Sequence, residues 1–194
     1  MEKSSIDILT DFAKKNNLRC SSSIQSTKGI IQHRGSLINI KFFVLEYIKN
    51  SSSYYFCAFD SGYRDVYSGL FVNYSKQKVP ELKVSPKFWF DKLSFQRKRK
   101  TGISELDKKL NISCDSDKIV KDVVNPKVGM DFLKLSKKIA PIELIVDNNY
   151  LDYNPDLEWA SIVGIQTNRW ILEEKELKLF LEDGSKLLNL IRKN

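Results

Sequence analysis

Near the start of the chain, Ile6, Leu9, Phe12 and Ala13 recur at helical spacing. Residues three and four apart stack on one side of a helix, so the pattern predicts an amphipathic first helix. Ser4 or Ser5 can accept its first free N–H groups, and Lys14-Lys15-Asn16 suit its negative end. The polar stretch from Ser21 to Ser26 has no apolar period and reads as a loop.

The period then drops to two. Ile30 and Ile31 precede a turn at Arg34-Gly35-Ser36, after which Ile38, Ile40, Phe42 and Val44 alternate with Asn39, Lys41 and Phe43. Asn50 to Ser53 predicts a second turn and Tyr54 to Phe59 an aromatic strand. Asp60-Ser61-Gly62 breaks that strand, and Val66 to Tyr74 predicts a fourth. Consecutive strands with short turns imply an antiparallel meander.

Lys76 to Lys87, with Pro80 and Pro86, predicts a connecting loop, and Phe88 to Phe95 resumes strand character. Arg97-Lys98-Arg99-Lys100 follows. In a strand its charges would occupy both faces, so a solvated hairpin tip or edge is expected, then a returning segment from Ile103 to Ser113. Asp115-Ser116-Asp117 opens a helical stretch through Val124, and Asn125-Pro126 introduces another from Lys127 to Ile139. Pro141 to Val146 predicts a strand, Asp147-Asn148-Asn149 a hairpin-like turn and Leu157 to Ile165 a further strand. From about Leu172 to Ile191 a closing helix places Leu177, Phe180, Leu181, Gly184, Leu187, Leu188 and Ile191 on one face. Gly184 is expected to interrupt it, since glycine costs about 1 kcal/mol against alanine inside a helix.

These elements define an α+β fold: a mainly antiparallel sheet with an N-terminal β-meander, helices packed on it, and an amphipathic C-terminal helix. A single domain over 1–194 is expected, with a subdomain boundary near 76–87 as the alternative. At 194 residues and 42% hydrophobic, the chain can bury a substantial core.

Charge changes the picture locally. Residues 1–100 carry 18 basic and 8 acidic side chains, whereas 101–194 carry 14 and 16. The 25 residues from Lys76 to Lys100 hold nine Lys or Arg against two Asp or Glu, +7 of the formal +8. Such a segment attracts an acidic protein, an anionic surface or nucleic acid. The candidate contact residues are Trp89, Lys92, Arg97, Lys98, Arg99 and Lys100. Phe88, Trp89, Phe90 and Phe95 interleave with basic residues there, a composition that serves both base stacking and attachment to an anionic membrane. Across the chain, 25 Lys against 7 Arg argues against sequence-specific base readout, for which the bidentate guanidinium is preferred.

Other chemistry is poorly supplied. His33 is the only histidine, beside a turn, with no nucleophile or metal motif to join it. No glycine-rich phosphate loop is present, which disfavours Walker and Rossmann nucleotide sites. Asp115-x-Asp117 suits helix capping better than a cation. Asp147, Asn149 and Glu158 match three positions of a calcium loop, but Leu151 and Asp152 stand where a ligand and a glycine are needed. Glu143, Asp147, Asp152, Asp156 and Glu158 form no pair placed around a substrate. No cofactor or metal is expected.

Cys20, Cys57 and Cys114 are widely spaced and odd in number, matching neither a disulfide framework nor a zinc site. With no apolar stretch at the N-terminus and none long enough to span a bilayer, the expectation is a cytoplasmic protein without a transmembrane segment. The sequons at Asn50, Asn73 and Asn111 then read as chance. The succession from Leu106 to Ile191 is similar to uncharacterised bacterial α+β domains. That likeness rests on generic elements and transfers no residue role. The reading is of a non-enzymatic interaction module with a basic surface segment, with non-specific nucleic-acid binding and peripheral membrane association as alternatives.

Overall fold

The computed structural model describes residues 3–28, 37–62, 66–87, 99–139, 141–148, 154, 156–157 and 160–192. Eight strands form one sheet: β1 (Arg19–Lys28), β2 (Leu37–Lys49), β3 (Ser52–Asp60), β4 (Val66–Ser75), β5 (Leu82–Pro86), β6 (Leu110–Cys114), β7 (Glu143–Asp147) and β8 (Ser161–Thr167). Their spatial order is β1-β2-β3-β4-β8-β7-β5-β6, and every neighbouring pair is antiparallel. The five helices are α1 (Ser5–Lys15), α2 (Ser104–Lys109), α3 (Asp117–Val123), α4 (Pro126–Lys138) and α5 (Glu174–Arg192). The α+β class and the N-terminal meander are as the sequence pattern predicts.

The helices cover one face. A row of register partners crosses all eight strands there: Cys20, Leu45, Phe56, Leu70, Ile165, Leu144, Val84 and Ile112. From Leu45 to Ile112 every member of the row is buried in a core shared with Leu9 and Phe12 of α1, Phe132 of α4 and Phe180 of α5. On the opposite face a smaller cluster joins Val44, Tyr55, Cys57, Phe71, Ile145 and Ile162 to Leu157. The Phe71 ring lies across Gly69 and Gly164. A Cβ at Gly164 would stand 2.2 Å from Phe71 Cδ1 and 3.0 Å from the Leu70 carbonyl oxygen.

Local signals set the helix starts. Ser4 Oγ accepts from the Asp7 N–H while the Asp7 carboxylate accepts from the Ser4 N–H, a reciprocal cap. Asn125 Oδ1 accepts from the Val128 N–H at 2.9 Å, with Pro126 as the first helical residue.

Several expectations are corrected. Ser21 to Ser26 is not a loop but part of β1. Pairing with β2 satisfies the inward half of its backbone groups, and at the sheet edge its side chains need no apolar alternation. The segment from Lys76 to Lys87 is not all loop, because β5 lies inside it, between β6 and β7. Pro80 precedes that strand and Pro86 is its last residue, so neither interrupts its middle. The returning segment divides into α2 and β6. Of the expected turn at Asp147-Asn148-Asn149, Asp147 ends β7 and Asn149 lies outside the described residues, and the following strand, β8, starts at Ser161, not at Leu157. Finally, α5 runs unbroken through Gly184. A Cβ there would stand 2.6 Å from Ile165 Cδ1 and 3.1 Å from Leu70 Cδ2, so the glycine permits close packing of helix on sheet. The expected strands at Ile30-Ile31 and at Phe88 to Phe95 lie outside the described residues.

Candidate functional site

Of the six contact residues expected from the basic run, Trp89, Lys92, Arg97 and Lys98 lie outside the described residues, as does His33. Arg99 is engaged within the fold. Its backbone N–H donates to the Ile112 carbonyl at 3.0 Å, on the outer side of β6. Its Nε donates to the Cys114 carbonyl at 3.1 Å, and its guanidinium pairs with Asp117 at 3.3 Å. This arginine fastens the end of the basic run to the end of β6 and the first turn of α3. Lys100 is exposed. Thr101 follows, buried, and its N–H and hydroxyl both donate to Asp107 Oδ1 at 2.7 Å, which fixes the entry to α2.

The same contacts answer the Asp115-x-Asp117 question. The Asp115 carbonyl accepts from Arg99 at 3.3 Å and the Asp117 carboxylate is its ion-pair partner. No side-chain hydrogen bond caps α3. Among the described residues no group of three His, Cys, Asp or Glu side chains is arranged to hold a metal ion.

The carboxylates of β7 are similarly occupied. Lys83 pairs with Glu143 at 2.9 Å, and Gln166 Nε2 donates to the same carboxylate at 3.4 Å. A shallow depression of about 390 Å³ on the open face of the sheet includes all three. Burial pushes the Asp147 carboxyl above its ordinary value, the Asn148 N–H draws it back, and Glu81 adds to the rise. Asp156 is exposed, while Asp152 and Glu158 lie outside the described residues. No two of these carboxylates face each other across a cleft in the described residues.

A larger cleft, about 650 Å³, lies elsewhere. It opens where the end of β4, the chain leading to β5, the start of α3 and the end of α5 converge. Its floor includes buried Ile119 and Ile191 with half-buried Val79 and Tyr74. Its rim carries three exposed cations, Lys78, Lys118 and Arg192, against one carboxylate, Asp122. Burial, with a smaller contribution from Asp122, holds the Tyr74 hydroxyl above its ordinary pKa, so it stays a neutral donor. Of the cations only Lys78 belongs to the basic segment seen in the sequence. The others come from residues more than 35 positions away and carry no local signal.

Burial raises the Cys57 thiol to about 12, and Asn154 is its polar neighbour. A thiol so protonated is a poor nucleophile. Cys20 is exposed and Cys114 buried, and none of the three forms a disulfide. No helix among the described residues is long and apolar enough to cross a membrane.

Comparison of the chain with protein-family models, curated proteins and solved structures finds no match. The generic likeness of Leu106 to Ile191 to bacterial α+β domains therefore adds nothing to the site.

Proposed function

We propose that the protein is a non-enzymatic binding module whose cleft between β4, α3 and α5 receives an acidic segment of a partner protein. The observation that carries this reading is the lining: three cations on the rim and an apolar floor beneath them. Acidic side chains answer the rim, and an apolar anchor between them answers Ile119 and Ile191. Lysine supplies two of the three cations. Lysine attracts by charge without the planar bidentate fit that base or phosphate recognition favours.

Capture from native lysate, with and without nuclease, tests the proposal. Lys78→Glu with Lys118→Glu should abolish capture of the partner. Lys127→Glu with Lys137→Glu, which changes exposed charges on α4, should leave it intact. Equal loss in both variants, or no loss in the first, overturns the reading. Nuclease-sensitive capture would replace it with the nucleic-acid alternative. Four phosphate contacts would then give a log–log salt slope of about −3 to −4.

A further inference from the structure

The two edges of the sheet differ. At β6 the chain covers part of its own edge: the Arg99 N–H donates to the Ile112 carbonyl, and the Arg99 Nε to the Cys114 carbonyl. At β1 the described residues place β2 on one side and no strand on the other. A strand in that position presents a row of N–H and C=O groups able to pair with another strand. Proteins guard such edges with proline, a bulge, a charge pointing inward or a covering element. From Arg19 to Gln25 the register with β2 runs without a shift, and the stretch has no proline. Its one charge, Arg19, pairs with Glu46 of β2 at 3.4 Å. Ile24 stands at the edge with 59% of its surface exposed, against the usual placing of a large apolar side chain.

We infer that β1 is an interaction surface for a second copy of this chain. The two β1 strands pair antiparallel over Arg19–Gln25, with Ser22 opposite Ser22. This register is self-complementary. Antiparallel pairing about Ser22 sets Ile24 of each copy against Cys20 of the other, on the helix-covered face, where both side chains are exposed in the single chain. It sets Arg19 against Gln25, so no like charges meet. The joined edges give one continuous sheet about a two-fold axis, and the symmetry closes the assembly at two copies.

The test uses the full chain. Light scattering across a concentration series should show the mass rising from one copy to two and no further. Ile24→Lys puts a charge into the paired stretch in place of its exposed apolar side chain and should weaken the dimer by about tenfold or more. A second measurement reads the register without depending on stability. In a Cys20→Ser background, Ser22→Cys places two thiols directly opposite and should oxidise to a covalent dimer. Ser23→Cys sets its thiols diagonally, at about 7–8 Å, and should cross-link much more slowly. A single-copy mass at all concentrations overturns the inference. So does unchanged dimerisation in a folded Ile24→Lys variant, or equal cross-linking at positions 22 and 23. Edge occupancy by an extended peptide of another protein would appear as a mixed complex from a chain that is otherwise single, and would likewise overturn self-pairing.

Discussion

Gly164 shows how much one residue position controls. Phe71 is fully buried, and its ring occupies the space a Cβ at Gly164 would take. The Leu70 carbonyl at 3.0 Å closes a second direction. Gly164→Ala must therefore shift an aromatic ring or a strand, and we expect a loss of about 2 kcal/mol, in the range for overpacked cores. Urea unfolding measures it, and an unchanged midpoint would show that the ring moves freely. Nothing in the sequence marks this position, because a glycine in a strand is the same letter whether or not a ring lies on it. Arg99 teaches the same lesson from the opposite direction. As the third of four consecutive basic residues it reads as solvated, yet its guanidinium reaches the Cys114 carbonyl at the end of β6 and a carboxylate on α3. The Ser4 cap, by contrast, is legible from the sequence, because a cap acts within three residues of itself.

At the scale of elements, α1 and α5 are joined by charge. Lys15 of α1 reaches Glu174 at the first residue of α5 at 2.8 Å, and Lys178 approaches the same carboxylate at 2.8 Å. The two lysines hold Glu174 well below the usual carboxylate range, at about 2. The sign follows from the direction. A carboxyl depressed on folding adds stability above its unfolded pKa of about 4.5, and that contribution disappears as pH falls through about 2. Glu174→Gln should therefore reduce hydrogen-exchange protection of α1 at pH 7 and much less at pH 2. An equal difference at both pH values would assign the effect to packing. The helices themselves follow from three- and four-residue spacing. Their joining does not, since Lys15 and Glu174 are 159 residues apart.

At the scale of the whole molecule, the sheet is continuous on both sides of residues 76–87. The chain leaves the meander at β4, and β8, the last strand in sequence, fills the place beside it. Residues 66–75 therefore depend on residues 161–167 for their ladder, and the cross-strand row ties both to β5 and β6. We expect a single cooperative unfolding transition, with tryptophan fluorescence and far-ultraviolet dichroism coinciding along a urea series. Separate transitions would instead support a subdomain boundary near 76–87.

The sequence by itself determined what nearest neighbours decide. Periods of two and of about four marked the meander and the main helices, and local polar groups marked their starts. The basic bias of residues 76–100 was equally plain. Only the tertiary structure decided that a serine-rich stretch is a strand, that β5 lies in the sheet, and that Gly184 sits inside a helix without breaking it. Each depends on a partner far along the chain: β2 for the serines, β6 and β7 for β5, Ile165 for Gly184. The cleft has the same origin. Lys78, Lys118 and Arg192 share a rim because three distant segments converge there, and charge counted along the chain cannot register charges gathered in space.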